Sequence, residues 1–304
     1  MVLTLRRLLK ECIKQKYLLL MVLPGFLLVL IFHYLPLYGI LIAFKDYNIA
    51  EGIWGSPWVG FRHFGEFLSH PLAGRLFRNT ALLGVYSLVF GFPAPIILAF
   101  LLNEIKSSVF KRTVQTIVYI PFFISIVVVI GMLSELASVD GALNSLRSFF
   151  GFERIPLMAR EGLFRTLFVG TNIWRGVGWG TILYLAALSG VDPTLYDVAS
   201  IDGANRWQKM INITWPTILP TTTVLLLLSL GGILGSDFQM VLLMQNPATM
   251  EVSDVIGTYI YREGLLGARF EHSAAVGLFL SVISFVLVFT ANYVSRKISE
   301  NSLW

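Results

Sequence analysis

Two ionisable side chains, Arg175 and Asp237, lie inside long apolar stretches of this sequence. A charge within a bilayer is costly, so such residues usually pair with each other or mark a pathway for a polar solute. We therefore expect Arg175 and Asp237 either to form an ion pair that fixes helix packing or to flank a wet cavity or its outer gate. At a rise of 1.5 Å per residue, both side chains are predicted to lie roughly 10–12 Å below the outer surface of the membrane that the helices cross.

Aromatic and amide side chains accompany these two charges along the same apolar stretches. Aromatic faces with polar edges suit sugars, whose C–H faces stack and whose hydroxyls need hydrogen-bond partners. For each tryptophan taken singly, a lipid-facing or interfacial position is equally open. We expect these residues to act as a group, and the candidates for a solute pathway are Trp174, Arg175, Trp179, Tyr184, Asp237, Gln239 and Asn246.

The sequence lacks the motifs of common catalytic and nucleotide-binding sites. No Gly-Lys dipeptide occurs, so there is no P-loop for nucleotide phosphates, and H-E-x-x-H, G-x-S-x-G and C-x-x-C are also missing. The histidines His33, His63, His70 and His272 are scattered, and the single Cys12 excludes an internal disulfide. A hydrolase needs a nucleophile with a base in reach. We therefore expect this chain alone to show no catalysis and to bind no cofactor or metal.

The composition indicates lipid rather than water as the main solvent of the folded chain. Of 304 residues, 56% are hydrophobic and 13% are charged, whereas a typical soluble domain is about 25% charged. The net charge of +5 does not indicate nucleic-acid binding, because the basic residues flank apolar stretches. The longest polar stretch is too short for a soluble domain, so the sequence predicts a single membrane domain over 1–304.

Six apolar segments approach the roughly 20 residues that a transmembrane helix needs. Pro93 and Pro95 in the second segment and Pro121 in the third remove backbone hydrogen bonds, so bends are expected there. The predicted spans are 17–44, 80–102, 114–136, 167–188, 218–244 and 273–294.

The basic residues before the first span could begin a secretory signal peptide. However, the apolar run that follows is too long for a signal, and no A-x-A-like cleavage site closes it, so we expect a retained first helix. The basic residues concerned are Arg6, Arg7, Lys10, Lys14 and Lys16.

An even number of spans places both chain ends on the same side of the membrane. Lys and Arg are denser in the segments that then lie inside, which predicts cytoplasmic termini in a bacterial cytoplasmic membrane. The longer loops 45–79, 137–166 and 245–272 would lie outside. The stretch 52–64 is rich in aromatics and glycine, and we expect it to be ordered and packed.

The polar segment 189–217 between the fourth and fifth spans has its own local signals. Asp192 followed by Pro193 is a good helix start, and a short helix can run to about Ile201. Gly203 permits the left-handed conformation at which a helix stops. A second, amphipathic helix is predicted from near Ala204.

The apolar face of this second predicted helix comprises Ala204, Trp207, Met210 and Ile211, and Pro216 then marks entry to the fifth span. Three interpretations remain open from the pattern alone. The segment could rest on lipid as an interfacial helix, fold as an ordinary loop, or dock on a partner protein.

The same segment resembles the cytoplasmic signature loop of ABC importer permeases, E-A-A-x-x-x-G followed after nine residues by I-x-L-P. Here the positions read Asp197, Val198, Ala199 and Gly203, then I-T-W-P at 213–216. The spacing is intact, with Asp for Glu, Val for the first Ala, and Trp for Leu. The D-G-A-x-x-W-Q pattern at 202–208 resembles the sugar-importer branch.

The resemblance extends over nearly the whole chain. NEIKSSVFKRTVQTIVYIPFFIS (103–125), NIWRGVGWGTILYLAALSGVDPTLYD (172–197) and the ending SLW are similar to LplB-type permeases for oligosaccharides. That subfamily is similar to permeases that import alginate and pectin-derived oligosaccharides. If the glycan is acidic, Arg175 becomes a stronger candidate for direct contact.

The resemblance implies an all-α integral membrane protein with the type I ABC importer permease fold and a cytoplasmic coupling helix. It implies two ATP-binding subunits that carry ATP and Mg, a second similar permease chain, and an external sugar-binding protein on loops 45–79 and 245–272. The two permease chains are expected to form a heterodimer, and a homodimer is the less common alternative. The residues that would meet the ATPase are Tyr196, Asp197, Val198, Ala199, Ile201, Asp202, Gly203, Ala204 and Trp207.

Three other classes are weighed against this interpretation. An ion-coupled secondary transporter of a small solute would need ionisable sites near the midplane and often shows inverted repeats; neither is clear here. An intramembrane enzyme lacks its catalytic pair, and a purely structural anchor leaves the two charges within spans unexplained.

Overall fold

The computed structural model describes residues 14–235 and 237–298. Arg6, Arg7, Lys10, Cys12 and the SLW ending lie outside the described residues. Within the described ranges the chain is helical, with no β-strand beyond an isolated antiparallel bridge between Lys45 and Trp58. The all-α prediction is confirmed.

Helices of very different lengths follow one another along the described chain. They are α1 (Lys16–Phe44), α2 (Gly52–Gly55), α3 (Arg62–Leu68), α4 (Ala73–Asn103), α5 (Ser108–Phe123), α6 (Ile126–Leu136), α7 (Ala142–Phe149), α8 (Glu161–Leu188), α9 (Pro193–Ile201), α10 (Arg206–Gly235), α11 (Phe238–Met244), α12 (Met250–Ser253), α13 (Ile256–Ile260) and α14 (Phe270–Ile298).

Four described helices, α1, α4, α10 and α14, are long and apolar enough to cross a membrane. The pair α5 and α6 would add a fifth span if the two helices together form one. Helix α8 covers the predicted fourth span and has 28 residues, a length of roughly 42 Å at 1.5 Å per residue. The chain is therefore a multi-pass helical protein, and the count of six spans stays a prediction.

Two predicted spans are interrupted, which corrects the segments 114–136 and 218–244. Helices α5 and α6 meet at an angle of 102°, because the backbone is extended at Ile124, just after Pro121. In the other segment, α10 ends at Gly235 and α11 begins at Phe238. Hydrophobicity alone does not report where a backbone leaves the helix.

Three long helices each contain a π-helical turn shortly before one of their prolines. The turns Leu30–Tyr34, Ser87–Gly91 and Met210–Thr214 each end two residues before a proline, at 36, 93 and 216. A proline ring clashes with the carbonyl of the preceding turn, and a wider turn relieves that clash. These prolines therefore do not end their helices.

The described chain forms two compact units. The first comprises the residues through Phe67 together with Glu263–Leu278. In it, Lys45 Nζ donates to the carbonyls of Ile53 at 2.6 Å and Ser56 at 3.1 Å. The loop after α1 is therefore ordered, as predicted for 52–64.

The second unit comprises Leu68–Arg262 and the residues from Phe279 onwards. Its core packs Leu83 of α4 and Phe164 and Phe168 of α8 against Met240 and Val241 of α11. Helix α8 packs along both α4 and α5, so this helix organises the unit.

The contact between α8 and α5 depends on Gly178. A Cβ at this position would lie 2.6 Å from the carbonyl carbon of Val118 and closer still to its oxygen. Small residues permit such close helix approach in membranes. Gly176, on the same helix, has no heavy atom within 4 Å of its Cβ position.

Gly178→Ala is expected to destabilise the protein by about 1–3 kcal/mol, because α5 and α8 must separate to admit the methyl group. Gly176→Ala is the matched control and should leave stability unchanged or slightly raised. Thermal unfolding of the detergent-solubilised chain measures both. Equal unfolding midpoints for the two variants would contradict the close packing.

Candidate functional site

The segment after α8 begins with a capped helix, as the sequence predicts. The Asp192 side chain accepts a hydrogen bond from Thr194 N at 2.9 Å, and Pro193 occupies the first helical position. The Thr194 N–H lowers the pKa of the Asp192 carboxyl by stabilising its charged form. Helix α9 therefore has a fixed start.

Helix α9 ends in a complete Schellman motif. Gly203 has φ of +79°, Ala204 N donates to Ala199 O at 2.8 Å, and Gly203 N donates to Ser200 O at 3.2 Å. This pair of bonds satisfies the last carbonyls of the helix and needs a left-handed residue at the turn. The predicted glycine turn is confirmed.

The second helix of the segment differs from the prediction. It begins at Arg206 rather than near Ala204, because Asn205 and Gln208 form a capping box. It is also not a separate amphipathic helix, since α10 runs without a break past Pro216. The segment between α8 and the apolar part of α10 is therefore a short helix joined directly to the start of a long one.

Two contacts hold α9 against the first turns of α10. The hydroxyls of Tyr196 and Thr214 lie 3.0 Å apart, and Lys209 Nζ donates to Ser200 Oγ at 2.6 Å. Tyr196 is therefore half-buried, and its hydroxyl is hydrogen-bonded within the chain. Most of the other residues predicted to meet a partner lie at the surface.

Apolar side chains of this segment are unusually exposed. Ile201 and Trp207 are 85% and 69% exposed, and Val198 is also exposed. Asp197 lies beside them at the surface. An acidic group next to exposed apolar side chains suits a protein partner as well as a lipid surface. The structure thus brings the predicted coupling residues into one surface segment.

A cavity of about 430 Å³ lies between α4, α8 and α10. Its wall is largely apolar and includes the polar residues Ser87, Asn172, Tyr184, Ser229 and Asp237. Ser87 Oγ is buried without a hydrogen-bond partner in the described structure. Apolar walls with a few polar groups are typical of small-molecule sites.

The two charges predicted to lie within the membrane form a pair, and one of them, Asp237, belongs to the wall of this cavity. Arg175 Nη1 lies 3.3 Å from Asp237 Oδ2, with side chains 26% and 32% exposed. The predicted ion pair is therefore present, whereas the role of these charges at a wet pathway or an outer gate stays a prediction. The Asp237 side chain additionally accepts from Met240 N at 3.4 Å and caps α11.

The structure places these two charges differently along their helices, while their depth in the membrane stays a prediction. Helix α8 begins at Glu161, earlier than the predicted 167, so Arg175 lies near its middle, roughly 21 Å from its first residue. Asp237 lies at the break before α11 rather than inside a continuous span.

The other predicted pathway residues are less closely grouped. Tyr184 lines the cavity. Trp179 of α8 stacks on Phe122 of α5, with ring centroids 4.5 Å apart. Trp174, also on α8, is exposed. Neither tryptophan is part of the cavity wall. Gln239 is exposed on α11.

Asn246 serves the loop after α11. Its amide nitrogen donates to Met158 O at 2.8 Å, and its side-chain oxygen accepts from Ala248 N. Asn246 therefore stabilises the loop that follows α11.

The sequence did not predict that Ser87, Asn172 and Ser229 belong to the cavity wall. Their signal is weak, since small polar residues within apolar helices commonly bond their own backbone.

The sequence and fold match those of known transport proteins. Residues 91–300 match the family described as binding-protein-dependent transport system inner membrane component. The chain is 44% identical to Protein LplB of Bacillus subtilis (strain 168) over 292 residues, covering 96% of this chain and 92% of that protein. It is also 44% identical to the polygalacturonan/rhamnogalacturonan transport system permease protein YteP of the same organism, covering 98% and 94%.

Two solved structures share the fold. One is a bacterial ABC transporter involved in the import of the acidic polysaccharide alginate, with a TM-score of 0.88, 41% identity and coverage of 96% of this chain and 99% of that chain. The other is a bacterial alginate ABC transporter in complex with an alginate pentasaccharide-bound periplasmic protein, with a TM-score of 0.89, 41% identity and coverage of 98% and 100%. The chain therefore belongs to the binding-protein-dependent transport family and is a permease subunit of an ABC importer.

Proposed function

We propose that this permease moves an oligosaccharide, with an acidic alginate- or pectin-like glycan as the specific class, into the cytoplasm. The observation that carries the proposal is the cavity between α4, α8 and α10, where hydroxyl, amide and carboxylate groups interrupt an apolar wall. Arg175 supplies a cation through its ion pair with Asp237, which lines the cavity. The relatives named for polygalacturonan and alginate transport support an acidic substrate.

Coupling to ATP is assigned to α9 and the start of α10. The exposed Ile201 and Trp207 would insert into a groove on an ATP-binding subunit, and Asp197 would pair with a basic residue there. Two such subunits would hold ATP and Mg, while this chain binds no nucleotide or cofactor itself. Closure of the ATPases would move these segments and bias the permease between outward-open and inward-open states.

The proposed assembly contains further partners. A second, homologous permease chain would complete the pathway as a heterodimer, and an extracytoplasmic sugar-binding protein would dock on loops 45–79 and 245–272. The periplasmic protein in the alginate transporter complex supports this last partner. We place the chain as one six-span domain in the bacterial cytoplasmic membrane, with both termini inside.

The alternative is an ion-coupled secondary transporter in which the Arg175–Asp237 pair is the coupling group. The two functions differ in their partners and in their energy source. ATP-driven uptake needs ATP-binding subunits and no ion gradient, whereas ion-coupled uptake stops when an ionophore removes the gradient.

We expect the tagged chain, extracted gently from its native membrane, to carry a nucleotide-binding subunit and a second permease with it. In vesicles reconstituted with the ATP-binding side facing inwards and ATP inside, uptake of an alginate pentasaccharide or an oligogalacturonate should persist after ionophore is added. Maltopentaose is the neutral control. Purification of the chain alone, together with uptake that fails on ionophore addition, would reject the proposal.

A further inference from the structure

Two histidines that are far apart in the sequence meet around one carboxylate in the first unit. His63 and His272 are 2% and 1% exposed, and the Nδ1 atom of each lies 3.6 Å from Glu66 Oε2. The sequence shows these histidines only as scattered residues. Folding converts them into a cluster of two imidazoles and one carboxylate.

The spacing of the three groups suits a metal ion. His63 and Glu66 are three residues apart on α3, so they share one helix face, and the ligand atoms of all three residues lie within 4.8 Å of one another. In a tetrahedral zinc site with bonds of about 2.0–2.1 Å, neighbouring ligand atoms stand about 3.3 Å apart. The 3.6 Å separations therefore need only a small contraction.

The outer ring nitrogen of His63 is already held as metal-bound imidazoles usually are. His63 Nε2 lies 3.0 Å from Lys45 O, and a carbonyl oxygen can only accept, so Nε2 carries the proton. In the neutral ring, Nδ1 then turns a lone pair towards the Glu66 carboxylate. Metal-binding histidines almost always donate their other N–H to a carbonyl or carboxylate in this way.

The carbonyl that orients His63 is itself fixed. The Lys45 side chain is anchored by the carbonyls of Ile53 and Ser56, and Asp46 N, the next amide, donates to Pro57 O at 2.9 Å. The His63 imidazole therefore cannot easily rotate away from Glu66. Its Nδ1 lone pair and the Glu66 carboxylate oxygen, both hydrogen-bond acceptors, remain facing each other.

Arginines compete for Glu66, but each has a second carboxylate. Arg269 Nη2 lies 3.3 Å from Glu66 Oε2 and its Nη1 lies 3.1 Å from Glu263 Oε2. Arg62 contacts Glu66 at 3.5 Å and Asp46 at 2.9 Å. Both guanidinium groups would keep a partner if Glu66 turned to a metal. The Glu66 side chain is 41% exposed, which gives an ion an entry path.

We propose that His63, Glu66 and His272 form a binding site for a divalent transition metal of the Zn²⁺ class. Two imidazoles and one carboxylate suit Zn²⁺ far better than Mg²⁺ or Ca²⁺, which prefer oxygen ligands. The ion clamps α3 to the first turn of α14. The proposal does not depend on the transported substrate.

The test is metal analysis of the full chain, purified in detergent with a histidine-free tag, washed with chelator and titrated with Zn²⁺ or Mg²⁺. Wild type is expected to retain about one Zn²⁺ per chain and no Mg²⁺, with a higher thermal unfolding midpoint in Zn²⁺. Glu66→Gln should weaken Zn²⁺ binding by more than the roughly 10–100-fold that loss of an outer-shell partner costs. His63→Ala and His272→Ala should do the same.

The matched control is His33→Ala, which removes an exposed histidine of α1 and should leave zinc content unchanged. Glu66→Gln is the decisive variant, because its exposed side chain makes misfolding less of a concern than at the buried histidines. Wild-type protein that binds no zinc would overturn the proposed metal site. The cluster would then be held by a proton shared between the imidazoles and Glu66. Equal Zn²⁺ affinity in wild type and Glu66→Gln would overturn it as well.

Discussion

Replacing Gly203 by proline should abolish uptake while the chain remains in the membrane. Gly203 has φ of +79°, whereas proline is fixed near −65° and has no N–H. The variant therefore loses the bond from Gly203 N to Ser200 O and cannot form the turn between α9 and α10. Because the proline ring cannot adopt a positive φ, the variant cannot populate the native turn.

We expect the changed turn to affect uptake because the turn sets the relative positions of two exposed apolar side chains. Ile201 and Trp207 lie on either side of Gly203 and are largely exposed, so the new turn would misplace one relative to the other. In the assembled importer, the variant is expected to lose substrate-stimulated ATP hydrolysis along with uptake. Asp197→Lys should weaken the same coupling through charge reversal.

Gly203→Asn supplies the matched control, since asparagine tolerates the left-handed conformation and can end a helix. It should retain most uptake, whereas Gly203→Val should behave like the proline variant. Uptake is measured in whole cells, and membrane fractions are blotted to show that each variant is present. Normal uptake by Gly203→Pro would remove the coupling role from this turn.

The sequence predicts the ends of α9 well because capping is a local interaction. Asp192, Pro193 and Gly203 act on backbone groups within a few residues, and the structure shows each in the expected conformation. The continuity of α10 past Pro216 was not predictable by the same rule. It depends on the π-helical turn Met210–Thr214, which proline patterns do not specify.

Features that depend on tertiary contacts were harder to obtain. The hydrophobic pattern predicts long apolar helices but not the break before Asp237, where a carboxylate caps α11 while pairing with Arg175. Similarly, His63 and His272 become neighbours only when α3 and the start of α14 fold together. Periodicity reports which face of a helix is apolar, not which distant residue packs against it.

The ion pair between Arg175 and Asp237 gives the second large expected effect. Asp237→Asn should lower stability by about 1–3 kcal/mol, because Arg175 loses a charged hydrogen-bond partner while partly buried. The asparagine keeps the capping function of the position, since Asn and Asp are equivalent helix caps. Asp237→Ala removes both interactions and should be more destabilising. Thermal unfolding of the solubilised chain separates the cap from the pair.

Transport with two substrates then separates helix packing from substrate contact. If Arg175 meets the carboxylates of an acidic glycan, Arg175→Gln should raise the KM for an oligogalacturonate about tenfold or more, the loss of one charged contact of roughly 1.5–3 kcal/mol. The KM for any neutral oligosaccharide that is transported should change little. During passage, the substrate carboxylate would replace Asp237 as the partner of the guanidinium.

Arg165→Gln is the matched control on the same helix, because Arg165 bonds the neutral side chain of Asn79 at 3.3 Å. It should not discriminate between acidic and neutral substrates. A parallel loss of stability and of all uptake in Arg175→Gln, without any substrate preference, would leave the pair as a packing element. Since Asp237 both lines the cavity and caps α11, a substrate that displaced Arg175 from it would still leave the start of α11 capped. The pair can therefore open for transport without unravelling the helix beside it.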